Sequence, residues 1–352
     1  MKFIKNSFKN NVYLLITAII TFIILLSGCS NFNQDNNSNK APYITKSSFL
    51  LNTVVTITIY DMQKEALIDE CFELISKYEL VYSRTNPKSE LYKLNNRSIP
   101  QDGSGYEISS EMLALLEYGL YYSSLSKGAF DITIAPVSSL WDFTGTTPVK
   151  PTDEAINQAL AYVNYEAVKI DGNKVFFANE NVNMDFGAIA KGYIADRVKE
   201  YLLSQGVQSA LINLGGNVHT IGNKPDGSPF LVGIQKPYAD RNETIAVIEI
   251  EDLSVVSSGI YERFFTLDGI GYHHILNPKT GYPYDNGLIS ITIISKDSVD
   301  GDGLSTTCFA LGLEEGLKLI NSIPDTYGIF ITDDYKIYYS DGLLENFKLI
   351  QQ

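Results

Sequence analysis

Cysteine and histidine are scarce in this chain, three of each in 352 residues. No Cys/His cluster suggests a zinc site. Basic residues are also in deficit: 27 Lys and Arg face 41 Asp and Glu, a formal net charge of −14. Three of those lysines (Lys2, Lys5 and Lys9) lie in residues 1–28, which hold no acid. The remainder therefore carries 24 basic against 41 acidic residues, a net −17. Such a surface repels phosphate backbones and has no compensating basic patch, which argues against a nucleic-acid partner. A nucleotide ligand would need a metal ion, backbone amides or a local lysine to offset this field. Charged residues amount to 19% against 45% hydrophobic, which excludes general disorder and supports a real core. There is no internal repeat, no Walker A loop and no Gly-x-Ser-x-Gly elbow.

What is present begins at the N-terminus. After the basic leader, Val12 to Leu26 is an almost unbroken apolar run, closed by Leu26-Ser27-Gly28-Cys29. That is the layout of a secretory signal over residues 1–28. Ser30 to Lys40, rich in Asn, Ser and Asp, cannot bury enough apolar surface to fold. Residues 29–46 are expected to be a flexible tether and 47–352 the folded domain. Cys71 and Cys308 each sit among apolar residues of an expected helix, as core thiols do. Export also permits a disulfide between them, which spacing does not decide.

Residues 48–60 alternate Val55/Ile57/Ile59 against threonines, the pattern of a half-buried strand. Helical spacing runs over 65–82, 109–125, 153–163, 188–205 and 304–320. Val168 to Phe177 reads as a hairpin turning at Asp171-Gly172-Asn173. Further strands are expected at 210–213, through 230–250, and at 255–256, 264–266, 288–294, 328–332 and 336–340. Strands clustered between helices give an α+β class with antiparallel or mixed sheets and no break for a second domain.

Residues suited to chemistry gather in a few segments. Val182-Asn183-Met184 runs into Asp185, small residues and a helix bearing Lys191. Such a junction lets a ligand approach the backbone and offers free amides to a phosphate, although a plain tight turn needs the same residues. Asp302 and Thr306 share a helix face. A carboxylate and a hydroxyl suit Mg²⁺, which takes few protein ligands; an N-capping Asp beside a buried Thr would read alike. A calcium loop fails, because its twelfth position would be Leu311. His273 and His274 precede a double turn, and strand alternation sends one imidazole inward and the other outward. One of them beside a diphosphate could act as general base, or both could be structural.

Taken in order, six segments resemble the ApbE family of FAD:protein FMN transferases from about Ser47 to Leu344. They are Gly128–Asp131; Asp185–Tyr193 with Asp196; Leu214-Gly-Gly-Asn217; Ser258-Gly-x-Tyr261-Glu-Arg263; His274 with Pro278-x-Thr-Gly281; and Asp302-x-x-x-Thr306. Any one alone is weak; the ordered set is specific. The resemblance implies a single α+β catalytic domain related to the T-fold. It implies an FAD site lined by Leu51, Ala129, Phe130, Asp131, Asp185, Lys191 and Leu276. It also implies Mg²⁺ on the Ala188 carbonyl, Asp302 and Thr306, with Ser305 at a position sometimes acidic in the family, and His274 as base. The acceptor would be a Thr or Ser in a partner bearing Asp-x-x-[Ser/Thr]-Gly-Ala-[Ser/Thr], with AMP released. The Leu26–Cys29 tetrapeptide resembles a bacterial lipobox. It implies cleavage before Cys29, lipidation of its sulfur (palmitate included) and residence on the extracytoplasmic face of the cell membrane.

Two positions depart from the family pattern. Leu51-Asn52-Thr53 stands where Met-Gly-Thr is common, and Thr85, after Ser83-Arg84, stands where many members place an aromatic. A weaker flavin grip there would favour hydrolysis, so an FAD diphosphatase is one competing reading. A flavin-binding lipoprotein that keeps FAD intact, or a solute-binding lipoprotein, needs no pairing of base and metal.

Overall fold

Eight strands that follow one another along the chain are also neighbours, in the same order, in the largest sheet. They are β1 (Ile44–Leu50), β2 (Thr53–Ile59), β3 (Ala210–Leu214), β4 (Asn217–Ile221), β5 (Ser254–Gly259), β6 (Leu288–Ser295), β7 (Tyr327–Thr332) and β8 (Ile337–Tyr339). Every pairing is antiparallel. This computed structural model describes residues 43–351 apart from 104, 144, 146–147 and 241–242. The expected leader, Cys29 and most of the tether lie outside the described residues. Residues 43–351 belong to one compact unit, and none of their helices is long and apolar enough to cross a membrane.

The strand expected over 48–60 is in fact part of a hairpin. Leu51 and Asn52 both adopt left-handed backbone (φ 53° and 57°) and turn β1 back onto β2. That is the two-residue turn whose twist matches antiparallel arms. It escapes notice because Leu-Asn lacks the glycine that usually marks it. The strand opens at Ile44, so the fold begins three residues ahead of Ser47.

On one face of the sheet lie helices α1 (Glu65–Tyr82), α2 (Ser110–Leu125), α3 (Ala190–Ser204), α4 (Ser298–Leu311) and α5 (Leu313–Asn321). They share a core with Val55, Ile57 and Ile59 of β2, Ile212 of β3, and Ile291 and Ile293 of β6. Burying each such side chain contributes roughly 1.5–3 kcal/mol. A three-stranded antiparallel sheet (Phe230–Gln235, Thr244–Ile250, Leu349–Gln351) closes a second core over Val255, Ile294 and Ile329. Sandwiched between the two, β6 is buried along its whole length. The helix expected over 304–320 is two helices, parted at Gly312, whose φ of 82° suits glycine. Cys71 and Cys308 are both buried free thiols.

Candidate active site

The segment around Asp185 is tied to the one around Asp131. The Asp185 amide donates to the Ile132 carbonyl at 2.8 Å, and Asn183 forms a parallel bridge with Ile134. The Asp185 carboxylate then faces Arg84, with Nε at 2.8 Å from Oδ2, while Ser138 Oγ donates to the same oxygen at 3.2 Å. Arg84 Nη1 also reaches Ser139 Oγ at 2.8 Å. Thr85, next along the chain, is exposed at this corner. Asp131 is committed elsewhere: its oxygens accept from Thr133 N and Oγ1 and from Tyr165 N, at 2.6–3.0 Å. It therefore fixes the loop's shape, and burial raises its carboxyl above the usual range. Phe130 is buried with its ring edge-on to Tyr122. The Ala129 carbonyl accepts from Tyr284 Oη at 2.9 Å, which binds this loop to the one after His274.

The centre of the site is where α3 meets α4. Gly192 N donates to Asp302 Oδ2 at 2.6 Å, and Asn217 Nδ2 donates to Asp302 Oδ1 at 2.8 Å. Lys191 Nζ donates to Asn217 Oδ1 at 2.6 Å. An ammonium, an amide and a carboxylate thus form one chain at the start of a helix. Gly192 is required here, since a Cβ would stand 2.2 Å from the Ser298 carbonyl oxygen. Its amide turns to Asp302 instead of closing the helical ladder on Ala188 O, leaving that carbonyl free to bind elsewhere. Burial raises the Asp302 carboxyl, against the downward pull of Lys191, Asn217 and the Gly192 amide.

Asp302 does not cap its helix. It lies in the second turn of α4, and the first amides, Ser298 N and Val299 N, donate to Asp196 of α3 at 2.7 and 2.9 Å. Buried His219 supports Asp196, with Nε2 at 3.2 Å from Oδ1. On the same stretch of α4, Ser305 Oγ lies 2.7 Å from Ser258 Oγ, and Thr306 Oγ1 lies 3.5 Å from it. Among the described residues no three His, Cys, Asp or Glu side chains gather around one point. A centre built on acidic or imidazole groups alone is not assembled there. The Ala188 carbonyl, the Asp302 carboxylate and the hydroxyls of Ser305 and Thr306 are hard oxygen donors, the ligand type that suits Mg²⁺.

The two histidines behave differently. His273 is buried, with Nε2 at 2.9 Å from the Tyr284 carbonyl and Nδ1 accepting from the Ile275 amide. Both its nitrogens are occupied, so its role is structural. His274 Nδ1 faces the Arg263 carbonyl at 3.3 Å. A carbonyl only accepts, so Nδ1 carries the proton and Nε2 keeps its lone pair. Burial pushes this imidazole down to about 3, aided by Arg263, His273 and Lys191. Lys191 acts on both His274 and Asp302, which puts the three groups in one field. Leu276 is buried and bridges Pro283, under a loop held by Trp141 Nε1 donating to the Gly281 carbonyl at 3.0 Å. Leu51 sits at the β1–β2 turn beside the Gly215 turn that delivers Asn217; the Gly215 amide donates to the Val54 carbonyl.

Sequence reading assigned no role to Asn217, Arg84 or Asp196. Asn217 and Asp196 fall inside the matched segments, but their bonds cross 85 and 102 residues and have no local signature.

A lysine, a buried carboxylate and an imidazole that feels the same lysine are thus linked at or near one strand-to-helix junction. A profile of the ApbE family matches residues 51–331. An FAD:protein FMN transferase of Klebsiella pneumoniae is 37% identical over 296 residues, 84% of this chain and 90% of the relative. One of Treponema pallidum is 30% identical over 326 residues, 87% and 89% of the two chains. Among solved structures, the Vibrio cholerae flavin transferase ApbE superposes with a TM-score of 0.78 at 28% identity, covering 87% of this chain and 99% of that one. The Thermotoga maritima ApbE protein gives 0.78 at 30% identity, covering 86% and 99%. The chain belongs to the ApbE family.

Proposed function

We propose that this protein transfers FMN from FAD to a Ser or Thr hydroxyl of an acceptor protein and releases AMP. The observation that carries this reading is the bonded chain of Lys191, Asn217 and Asp302, with the charge of Lys191 also felt by a His274 whose Nε2 keeps its lone pair. His274 accepts the acceptor's hydroxyl proton at Nε2. The hydroxyl oxygen bonds to the FMN-side phosphorus, the bond from that phosphorus to the bridging oxygen breaks, and AMP departs with the electron pair. Lys191 sets a positive charge at a helix start, where an anion is favoured. Arg84 and Asp185, clamped together, form a firm wall at the strand-to-helix junction. Mg²⁺ would sit on the Ala188 carbonyl, Asp302, Thr306 and Ser305, where it would neutralise charge on the diphosphate.

The name borne by the Klebsiella and Treponema relatives supports the same reaction. The apolar leader and Leu26-Ser27-Gly28-Cys29 support a lipid anchor on Cys29 and an extracytoplasmic position. The acceptor is a protein carrying the Asp-x-x-[Ser/Thr]-Gly-Ala-[Ser/Thr] motif.

The test uses residues 30–352 with FAD, Mg²⁺ and an acceptor domain bearing that motif. Covalent flavin is read by fluorescence of the denatured acceptor band. His274→Ala is expected to lower labelling by about 100-fold or more while FAD still binds. Asp302→Ala is expected to abolish the response to added Mg²⁺ and to weaken Mg²⁺ binding measured by calorimetry. Undiminished labelling by His274→Ala removes the base. Free FMN and AMP with an unlabelled acceptor would point to a diphosphatase.

A further inference from the structure

Two buried carboxylates are held between the same three elements, in two rungs one helical turn apart. In the first rung, Asp302 of α4 accepts from the Gly192 amide of α3 and from Asn217 Nδ2 of β4. In the second, Asp196 of α3 accepts from the Ser298 and Val299 amides of α4 at 2.7 and 2.9 Å. His219 of β4 completes it, with Nε2 at 3.2 Å from Asp196 Oδ1. Asn217 and His219 are two apart on one strand and so share a face. Gly192 and Asp196 lie four apart on α3, as do Ser298 and Asp302 on α4, so each pair shares a helix stripe. Gly192 meets Asp302 while Asp196 meets Ser298, so the two helices run in opposite senses with equal steps.

The first rung contains a proposed Mg²⁺ ligand; the second has no part in the proposed chemistry. Its imidazole is nonetheless costly. A carboxylate only accepts, so His219 Nε2 carries a proton toward Asp196. His219 Nδ1 is buried and has no hydrogen-bond partner among the described residues. An unpartnered buried nitrogen carries a desolvation penalty that an aliphatic side chain avoids. What the imidazole supplies in return is the N–H that fixes Asp196. α4 depends on that carboxylate: its N-cap, Asp297, makes no side-chain cap bond, and its first turns hold two glycines. A slip of α4 by one residue would turn Asp302 about 100° away from Gly192 and Asn217.

We infer that His219 and Asp196 are positioning residues that set the register of α4 and so hold Asp302 in place, an inference that rests on the transferase reading. His219 orients Asp196, and Asp196 takes the first amides of α4. The helix then carries Asp302 one turn further on, and Ser305 and Thr306 two turns further.

The test compares His219→Leu with His219→Gln in residues 30–352. The glutamine keeps an N–H within reach of Asp196, and the leucine does not. Mg²⁺ affinity is read by calorimetry, and hydrogen exchange of the peptide spanning Gly192 reads the first rung directly. His219→Leu is expected to bind Mg²⁺ about tenfold more weakly and to exchange the Gly192 amide about tenfold faster. His219→Gln should stay within about threefold of wild type on both. If the leucine variant lowers the thermal midpoint, His219→Asn, polar but too short to reach Asp196, replaces it with the same expectations. Both readouts unchanged overturn the inference. So does a glutamine variant as impaired as the leucine one, since shape and not the N–H would then be at work. Faster exchange confined to Ser298 and Val299 reduces the pair to a local cap and overturns it as well. The transferase reading fails separately: wild type that leaves the acceptor without covalent flavin sinks the reaction, while exchange at Gly192 still decides the register.

Discussion

At the residue scale, the decisive group is His274, because its surroundings fix both tautomer and charge. The Arg263 carbonyl holds Nδ1–H, and burial with nearby cations keeps the ring neutral down to about 3. As the proposed base, an imidazole with that environment does not titrate near 6.5. The acid limb of kcat/KM that belongs to His274 is expected far below the usual histidine range. Arg263→Gln keeps the carbonyl and removes a repelling charge, so the neutral form loses part of its advantage. The limb is expected to move to higher pH in the variant, read from kcat/KM profiles of both proteins. An unmoved limb would mean that Arg263 does not set the charge of His274. The residue scale is also where the sequence was least informative. His274 and His273 are adjacent and chemically identical, and their roles part only because Tyr284 and Ile275 claim both nitrogens of one.

At the scale of elements, legibility followed locality. Glu65 to Tyr82 was readable because Leu67, Cys71, Ile75 and Tyr78 mark one buried stripe within the segment itself. The start of α4 was not, since Ser298-Val299-Asp300-Gly301-Asp302-Gly303 holds two glycines and no good helix formers. That turn stands because Asp196 takes its first amides from another helix. The β1–β2 turn was hidden for the opposite reason: two residues with side chains adopt a conformation that glycine would advertise. The contact between α3 and α4 yields a direct prediction. Gly192→Ala drives a methyl into the Ser298 carbonyl, so the helices must separate. The variant is expected to lose about 1–3 kcal/mol of stability by denaturant titration. Separating the helices also draws Asp302 from the Gly192 amide, so Mg²⁺ affinity by calorimetry should fall with it. Unchanged stability would show that the crossing has slack.

At the scale of the whole molecule, the helix layer packed on the large sheet keeps both described cysteines dry. Burial pushes the Cys71 thiol up to about 12 and Cys308 higher still. In residues 30–352, neither thiol is expected to react with an aromatic disulfide reagent while the protein is folded. Two are expected to react after denaturation, and a reductant should leave the thermal midpoint where it was. Fewer than two titratable thiols in the denatured chain would mean that the pair is bonded.

The order of the strands carries one more consequence. Arg84, Asp185 and Lys191 arrive on one long excursion between β2 and β3, Asn217 on β4 itself, His274 between β5 and β6, and Asp302 after β6, from a sheet laid down in sequence order. No fragment that stops short of α4 possesses the carboxylate, and none that begins at α2 possesses the arginine. A nascent or refolding chain consequently has no partial competence to offer. It stays silent until its C-terminal third has docked, and a single nick that lets that third drift away extinguishes it at once.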